Sequence, residues 1–362
     1  MRSLSQMNVS GTLKAWYLKH QRPLLWRKTT DPYKIWLSEV ILQQTRVDQG
    51  TPYYIRFIST FPTVRKLAQA PENQVMKLWQ GLGYYSRARN LHAAAKTISK
   101  EFKGKFPSDY MTIRTLKGVG DYTAAAISSF AFNLPHAVVD GNVYRFLSRF
   151  YGIETPVDST QGKKEFAELA QSLLDTKNPG LHNQAIMEFG AIQCKPVSPE
   201  CTICPFVLLC EARKNKSVEL LPVKGKKTKV RIRYFNYLIV RYKDLVFINK
   251  REKGDIWQNL YDFPLIETKA HLESSKLPHS DEWKLLFKNQ QVHIETVSTE
   301  LTHKLSHQHI VTRFYKIHLT TRPYTAFRSK YIEIQFNDIL KYPVPRLIES
   351  HLETHSELYA EL

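Results

Sequence analysis

Three groups of residues in this chain have the types and spacing to do chemistry. In "KIWLSEVILQQT", residues 34 to 45, Ile35, Trp36, Leu37, Val40, Ile41 and Leu42 cover nearly the whole circumference of a helix. A helix that is apolar all round is a buried one. Glu39 stands in its middle, with Ile35, Trp36, Leu42 and Gln43 as neighbours three and four residues away. Apolar surroundings raise a carboxyl's pKa, so this acid is expected to hold a proton near neutral pH. The second group is "VVDGNVYRFLSRF", residues 138 to 150, where Asp140 precedes an amphipathic helix. Taken alone, that aspartate reads as the helix cap.

The third group is the most specific. The only cysteines, Cys194, Cys201, Cys204 and Cys210, are separated by spacers of six, two and five residues. Disulfides of a secreted chain this long would be spread along it, whereas a tight group suggests reduced thiolates on a metal or cluster. Zinc modules pair two short knuckles across a longer loop. Here one short loop supplies all four sulfurs, which suits a cubane cluster better than the bland alternative of structural zinc. Four protein ligands leave no open position, so either metal would be structural. Lys195, Arg213 and Lys214 beside the loop could meet phosphates.

These residues need elements to hold them. Asp31 and Pro32 open the helix that carries Glu39. In "TLKGVGDYTAAAISSFAF", residues 115 to 132, Gly118 and Gly120 bracket Val119 in a tight turn before an Ala-rich helix. Amides exposed at a helix start bind phosphate without reading sequence, and the segment resembles a helix-hairpin-helix. From about residue 8 to 210 the pattern is helical almost throughout. Residues 213–230 hold seven Lys or Arg and little to bury, which is linker composition. Beyond it, "RYFNYLIVRYKDLVFINKR" reads as two strands about a turn, and "VSTELTHKLSHQHIVTRFYKIHLTT" gives more. "HSDEWKLLFKNQ" and "DILKYPVPRLIESHLETH" read as helices, so the second domain, 231–350, mixes α and β, with a tail at 351–362.

The 362 residues are 43% hydrophobic, enough for two cores, and carry a net charge of +19 with pI near 9.6. That excess points to a polyanionic partner. No apolar run approaches the ~20 residues of a spanning helix, and the N-terminus lacks a signal peptide's apolar core. Nucleic acid is therefore expected, not membrane.

Hairpin, aspartate and cysteine loop, in this order and spacing, resemble the signature of the endonuclease III superfamily of DNA glycosylases. The resemblance implies a catalytic Asp140 and a 4Fe-4S cluster on Cys194, Cys201, Cys204 and Cys210. Bifunctional members carry a lysine two residues after the hairpin's last glycine; Tyr122 stands there, implying hydrolysis without strand nicking. "LLWRKTTDPYKIWLSEVILQQTRV", "GLGYYSRARNLH" and "NQAIMEFGAIQC" are similar to the MutY family of adenine DNA glycosylases, which act on adenine opposite 8-oxoguanine or guanine. Leu25 replaces the family's usual proline. "VFINKREKGDIWQNLYDFPLIE" echoes the family's NUDIX-like C-terminal domain, with Asn259 for a glycine and no glutamate-rich hydrolase box. "THKLSHQHI" matches its F-S-H loop, with Leu305 for Phe. The bland reading of His303, His307 and His309 is alternate residues on a strand.

The implied fold is multi-domain. An all-α helix-hairpin-helix glycosylase domain (1–212, hairpin about 113–131, 4Fe-4S cluster loop 194–210) precedes an α+β NUDIX-like domain. The implied mechanism flips adenine out of the duplex. Glu39 then protonates a ring nitrogen and later helps activate water, while an ionised Asp140 stabilises an oxocarbenium-like sugar. Tyr122 and Asn142 support them; Trp26, Arg27 and Glu188 line the adenine pocket. Gln44 and Tyr84 wedge into the stack, Ser306 and His307 read 8-oxoguanine, and Gly118, Val119 and Gly120 hold the backbone. A glycosylase for another base, and a non-enzymatic DNA-binding protein with structural zinc, are the competing readings; a pure binder has no use for a buried acid. The protein is expected to act as a monomer in bacterial cytoplasm on double-stranded DNA.

Overall fold

The computed structural model describes residues 8–225, 230–288 and 290–354. Of the expected linker, residues 226–229 lie outside the described residues, as do 355–362 of the expected tail. The chain forms two units, one of Met1–Gln69 with Asn90–Lys227 and the other of Ala70–Arg89 with Thr228–Leu362. Composition sets a single boundary at 213–230, yet the helical segment 70–89 gathers with the second unit.

The helices of the first half are α1 (Val9–His20), α2 (Pro32–Leu42), α3 (Val47–Thr60), α4 (Val64–Gln69), α5 (Glu72–Trp79) and α6 (Ser86–Glu101). Then come α7 (Tyr110–Thr115), α8 (Asp121–Phe132), α9 (Gly141–Tyr151), α10 (Thr160–Leu173), α11 (Pro179–Glu188) and the short α12 (Glu211–Lys214). Asp31 caps α2 by accepting from the Tyr33 N–H at 2.9 Å. Every residue from Ile35 to Ile41 is buried, as an all-round apolar helix requires. Helix α2 packs on α8, itself buried from Thr123 to Ser129. Between α7 and α8, Gly118 has φ +81°, and a Cβ there would lie 2.6 Å from the Asn90 Cβ. Only glycine fits that turn. One face of α9 (Val143, Phe146, Leu147, Phe150) packs with α1, α11, Phe166 and Phe206 in a single apolar core.

The second unit is built on an eight-stranded sheet. Its strands are β1 (Arg231–Tyr242), β2 (Leu245–Lys250), β3 (Tyr261–Asp262), β4 (Leu265–Thr268), β5 (Val292–Val297), β6 (Leu301–Lys304), β7 (Gln308–Leu319) and β8 (Ile332–Gln335). The order β3-β2-β1-β7-β5 runs through the sheet, with β4 on β1, β6 on β7 and β8 on β2. Strand β1 runs parallel to β7 from Arg231↔Gln308 to Arg241↔His318. Alternate residues face two cores. Phe235, Tyr237 and Ile239 meet α15 (Arg346–Thr354), while Leu238 and Val240 meet α13 (Asp281–Phe287) and α14 (Thr325–Lys330). Helices cover both faces, which is why β1 reads as a continuous apolar run.

Candidate active site

Three helix starts or faces bring the catalytic candidates together: Glu39 from the middle of α2, Tyr122 from the first turn of α8, and Asp140 as the cap of α9. The Tyr122 hydroxyl donates to Glu39 Oε2 at 2.6 Å. Burial pushes the Glu39 carboxyl up to about 7; the Tyr122 hydrogen bond and the Arg27 charge pull it down, and the Asp140 charge pushes it further up. The Tyr122 phenol is raised well above its ordinary value by burial and the two acids. Asp140 accepts from the N–H groups of Asn142 and Val143 at 2.9 and 2.8 Å, and from Asn142 Nδ2 at 2.7 Å. Burial raises this carboxyl too, and those three donors oppose the rise by favouring its ionised form. Asp140 thus caps its helix while its charge reaches Glu39.

Glu39 opens onto a pocket whose walls include Trp26, Arg27, Ser38, Gln184 and Met187. Glu188, expected in that wall, is not part of it. Its carboxylate accepts from the Arg22 N–H, Nε and Nη2 at 2.9, 2.8 and 2.7 Å and from Arg27 Nη2 at 2.7 Å. Burial would raise Glu188, but these hydrogen bonds outweigh it and hold the acid at about 2. Gln184, one turn earlier on α11, faces the pocket instead, its Oε1 accepting from Tyr17 Oη at 2.7 Å. Sequence reading missed Gln184 and Arg22. The first lies within the quoted "NQAIMEFGAIQC", four residues before the more conspicuous acid.

The four cysteines all line one small cavity, together with Phe146, Phe150, Phe189 and Phe206. Among the described residues no three of His, Cys, Asp or Glu gather closely enough to hold a single metal ion. Arg149 fans over the loop, donating to the Lys195 and Pro196 carbonyls at 2.8 and 3.2 Å and lying 3.5 Å from Cys194 Sγ. Lys195 and Lys214, expected at phosphates, are paired with Glu200 and Glu211 at 2.7 and 2.8 Å.

In the hairpin, the Val119 N–H donates to the Leu116 carbonyl at 3.0 Å. Its amide is therefore taken, and a phosphate would meet the free amides at the start of α8, beside Gly120. Gln44 is exposed with φ +57°, just beyond α2. Leu25 is exposed at the start of a short 3₁₀ turn, Leu25–Lys28, that carries Trp26 and Arg27.

In the second unit Tyr84, Ser306 and His307 line one pocket of roughly 880 Å³ with Arg89, Trp257 and Leu305. Tyr84 is exposed with φ +46°. Asn259 has φ +66°, the left-handed region that asparagine enters most readily after glycine, so the departure from the family's glycine keeps the turn. Leu305 packs on the core beneath this wall, its N–H donating to the Gln308 carbonyl at 2.8 Å.

The chain matches two family models: HhH-GPD superfamily base excision DNA repair protein over residues 37–174, and NUDIX domain over residues 236–354. It is 33% identical to an adenine DNA glycosylase of Buchnera aphidicola subsp. Acyrthosiphon pisum (strain APS), covering 93% of this chain and 95% of that protein. Among solved structures, a thermostable thymine-DNA glycosylase aligns over 57% of this chain and 95% of its own at TM-score 0.53 and 28% identity. An endonuclease III–DNA complex shares the fold at TM-score 0.52 and 21% identity, over 60% of this chain and 99% of its own. No helix among the described residues is long and apolar enough to cross a membrane. The non-enzymatic reading falls with these matches, for the chain belongs to the adenine DNA glycosylase family, enzymes of base-excision DNA repair.

Proposed function

We propose that this enzyme hydrolyses the N-glycosidic bond of adenine mispaired with 8-oxoguanine or guanine, and leaves the strand uncut. The observation that carries the reading is the Glu39–Tyr122 hydrogen bond of 2.6 Å beside the pocket that Glu39 lines, with Glu39 pushed up to about 7. The adenine is flipped into the pocket, where Trp26, Arg27 and Gln184 hold it. Protonated Glu39 gives its proton to a ring nitrogen, so that the base leaves as a neutral purine. Asp140 meets the positive charge that develops on the sugar and can bond to the sugar carbon, with Asn142 holding its carboxylate in place. Glu39, now ionised, takes a proton from the attacking water. Tyr122 keeps Glu39 oriented and has no amine with which to form a Schiff base, so no lyase step follows.

Gln44 and Tyr84 fill and probe the stack, Ser306 and His307 read the opposite base, and the amides beside Gly120 hold phosphate. Cys194, Cys201, Cys204 and Cys210 suit a 4Fe-4S cluster, which when bound would staple their loop; the apolar cavity with Arg149 beside it supports that fit. The decisive measurement is single-turnover base release from duplexes with adenine opposite 8-oxoguanine, adenine opposite guanine, and mismatched controls. Adenine release is expected, with alkali needed to cut the strand. Release of a pyrimidine, or nicking without alkali, overturns the reading.

A further inference from the structure

The second unit carries a chain of charged side chains that none of the chemistry above uses. Arg233 on β1 is 7% exposed at its side chain and Arg251, just after β2, 9%. Burying two guanidinium groups is costly unless every donor is met. Arg233 forks onto Glu267 through Nε and Nη2 at 2.8 and 2.6 Å, and onto Asp255 through Nη1 and Nη2 at 2.6 and 2.7 Å. Arg251 donates Nη2 to the same Asp255 at 2.7 Å, Nη1 to buried Asp262 at 2.6 Å and Nε to the Ile256 carbonyl at 2.9 Å. The Ile256 N–H closes the set on Asp255 Oδ1 at 2.7 Å. A relay Glu267–Arg233–Asp255–Arg251–Asp262 results.

Its middle member grips a loop under backbone strain. Gly254, Trp257 and Asn259 have φ of +112°, +60° and +66°. A tryptophan in the left-handed region persists only where its surroundings over-determine it. Here the Arg251 guanidinium lies 6.0 Å from the Trp257 ring, and Phe235 and His303 stand edge-on or tilted at 6.2 and 5.9 Å. Asp255, Ile256 and Trp257 form one wall of the pocket that also contains Tyr84, Ser306 and His307. Four donors occupy the Asp255 carboxylate, so it has little acceptor capacity left for a ligand. It acts as an anchor, and its charge, which would repel DNA, is answered by two cations.

We propose that this relay sets the preference for 8-oxoguanine over guanine by fixing the 255–257 wall opposite Ser306 and His307. Arg233 and Arg251 are positioning residues: they act through Asp255 and do not line the pocket. The inference rests on the reading of that pocket as the one that receives the base opposite adenine. Buried ion pairs add little net stability over apolar packing, and the fixed geometry of this connected set suits it to hold one arrangement of the chain, which is what a pocket discriminating two purines needs.

The test uses the full-length protein and single-turnover adenine release from A·8-oxoguanine and A·G duplexes. Arg251→Lys keeps the charge but loses the planar fork that joins Asp255, Asp262 and Ile256. The expected result is a rate opposite guanine unchanged within about twofold and a preference for 8-oxoguanine reduced about fivefold, the size of one positioned hydrogen bond. Glu267→Gln, at the more exposed end of the relay, is the second variant in case Arg251→Lys does not fold; it leaves one oxygen to accept from Arg233 and should lower the preference about twofold with a smaller loss of melting temperature than Arg251→Lys. Ser306→Ala separates the inference from the reading beneath it. If Ser306→Ala leaves the preference intact, the pocket does not read the opposite base and both fail. If Ser306→Ala lowers it while the folded relay variants keep it, or if they slow both duplexes in parallel, the relay has no part in discrimination.

Discussion

The first unit's pocket is built around an acid with no cation in hydrogen-bond contact, whereas the acid in the wall of the second unit's pocket is clamped by two guanidinium groups. Glu39 is 7% exposed and receives one phenol hydrogen; burial wins and its carboxyl goes up to about 7. Asp255 receives four N–H donors, three from guanidinium groups, and these outweigh partial burial to hold it below its ordinary value. Glu188, 1% exposed, repeats the second outcome inside the first unit, because Arg22 and Arg27 supply four donors. Burial alone thus does not say what an acid is for. The number of charged donors that reach it decides between a proton carrier and an anchor.

The largest effect should come from replacing the unclamped acid. Glu39→Gln removes the transferable proton and is expected to slow single-turnover adenine release by about 10³-fold, within the range for general acids, while DNA binding stays intact. A variant retaining a tenth or more of the rate would break the contrast, since Glu39 would then be no more than a misplaced charge.

Next in size are two stability changes of opposite sign within one site. Glu39 has its folded pKa raised, to about 7 against an ordinary 4.5. The native state therefore binds the extra proton, and its contribution is full below 4.5 and lost as pH rises through 7, a change of about 3 kcal/mol. Glu188 has its folded pKa depressed, to about 2. Its contribution is full above 4.5 and lost as pH falls through 2, again about 3 kcal/mol. Denaturant melts should then find Glu39→Gln more stable than the parent at pH 8 and little changed at pH 4. Glu188→Gln should be less stable at pH 7, with the deficit closing toward pH 2. Two substitutions with the same sign at pH 8 would mean that donors do not separate the two acids.

How much of this was legible in advance follows from the same physics. Glu39 could be seen because it contradicts a local apolar pattern, and Tyr122 because it is counted from a glycine. Asp140 needed the distant hairpin and cysteine loop to be more than a cap. Gln184 was hidden. It and Glu188 share one stretch of α11, and only position along the axis, one turn or about 5.4 Å, decides which one faces the base. Arg22, which draws Glu188 away, comes from 166 residues earlier. The sequence pattern placed residues 70–89 in a stretch that is helical almost throughout but did not say which unit they would join. The relay was equally invisible, because Arg233 and Glu267 meet only through the register of β1 and β4.

The smallest change tests the one donor that Glu39 does have. Tyr122→Phe keeps the ring and removes the hydroxyl, and with it a hydrogen bond that favours ionised Glu39. Burial and the Asp140 charge are then opposed by Arg27 alone, so the acid's pKa must rise. Activity that needs protonated Glu39 falls as pH passes upward through about 7 in the parent. In Tyr122→Phe this alkaline limb should lie higher by about half a unit to one unit, the equivalent of one net hydrogen bond. The rate at pH 6 should fall only severalfold, through looser orientation of the carboxyl. The relative loss should shrink at pH 8, where more of the variant's Glu39 still carries its proton. A limb that stays in place, or moves to lower pH, would mean that the phenol does not tune Glu39, and the difference between the two units would then owe nothing to hydrogen-bond donors.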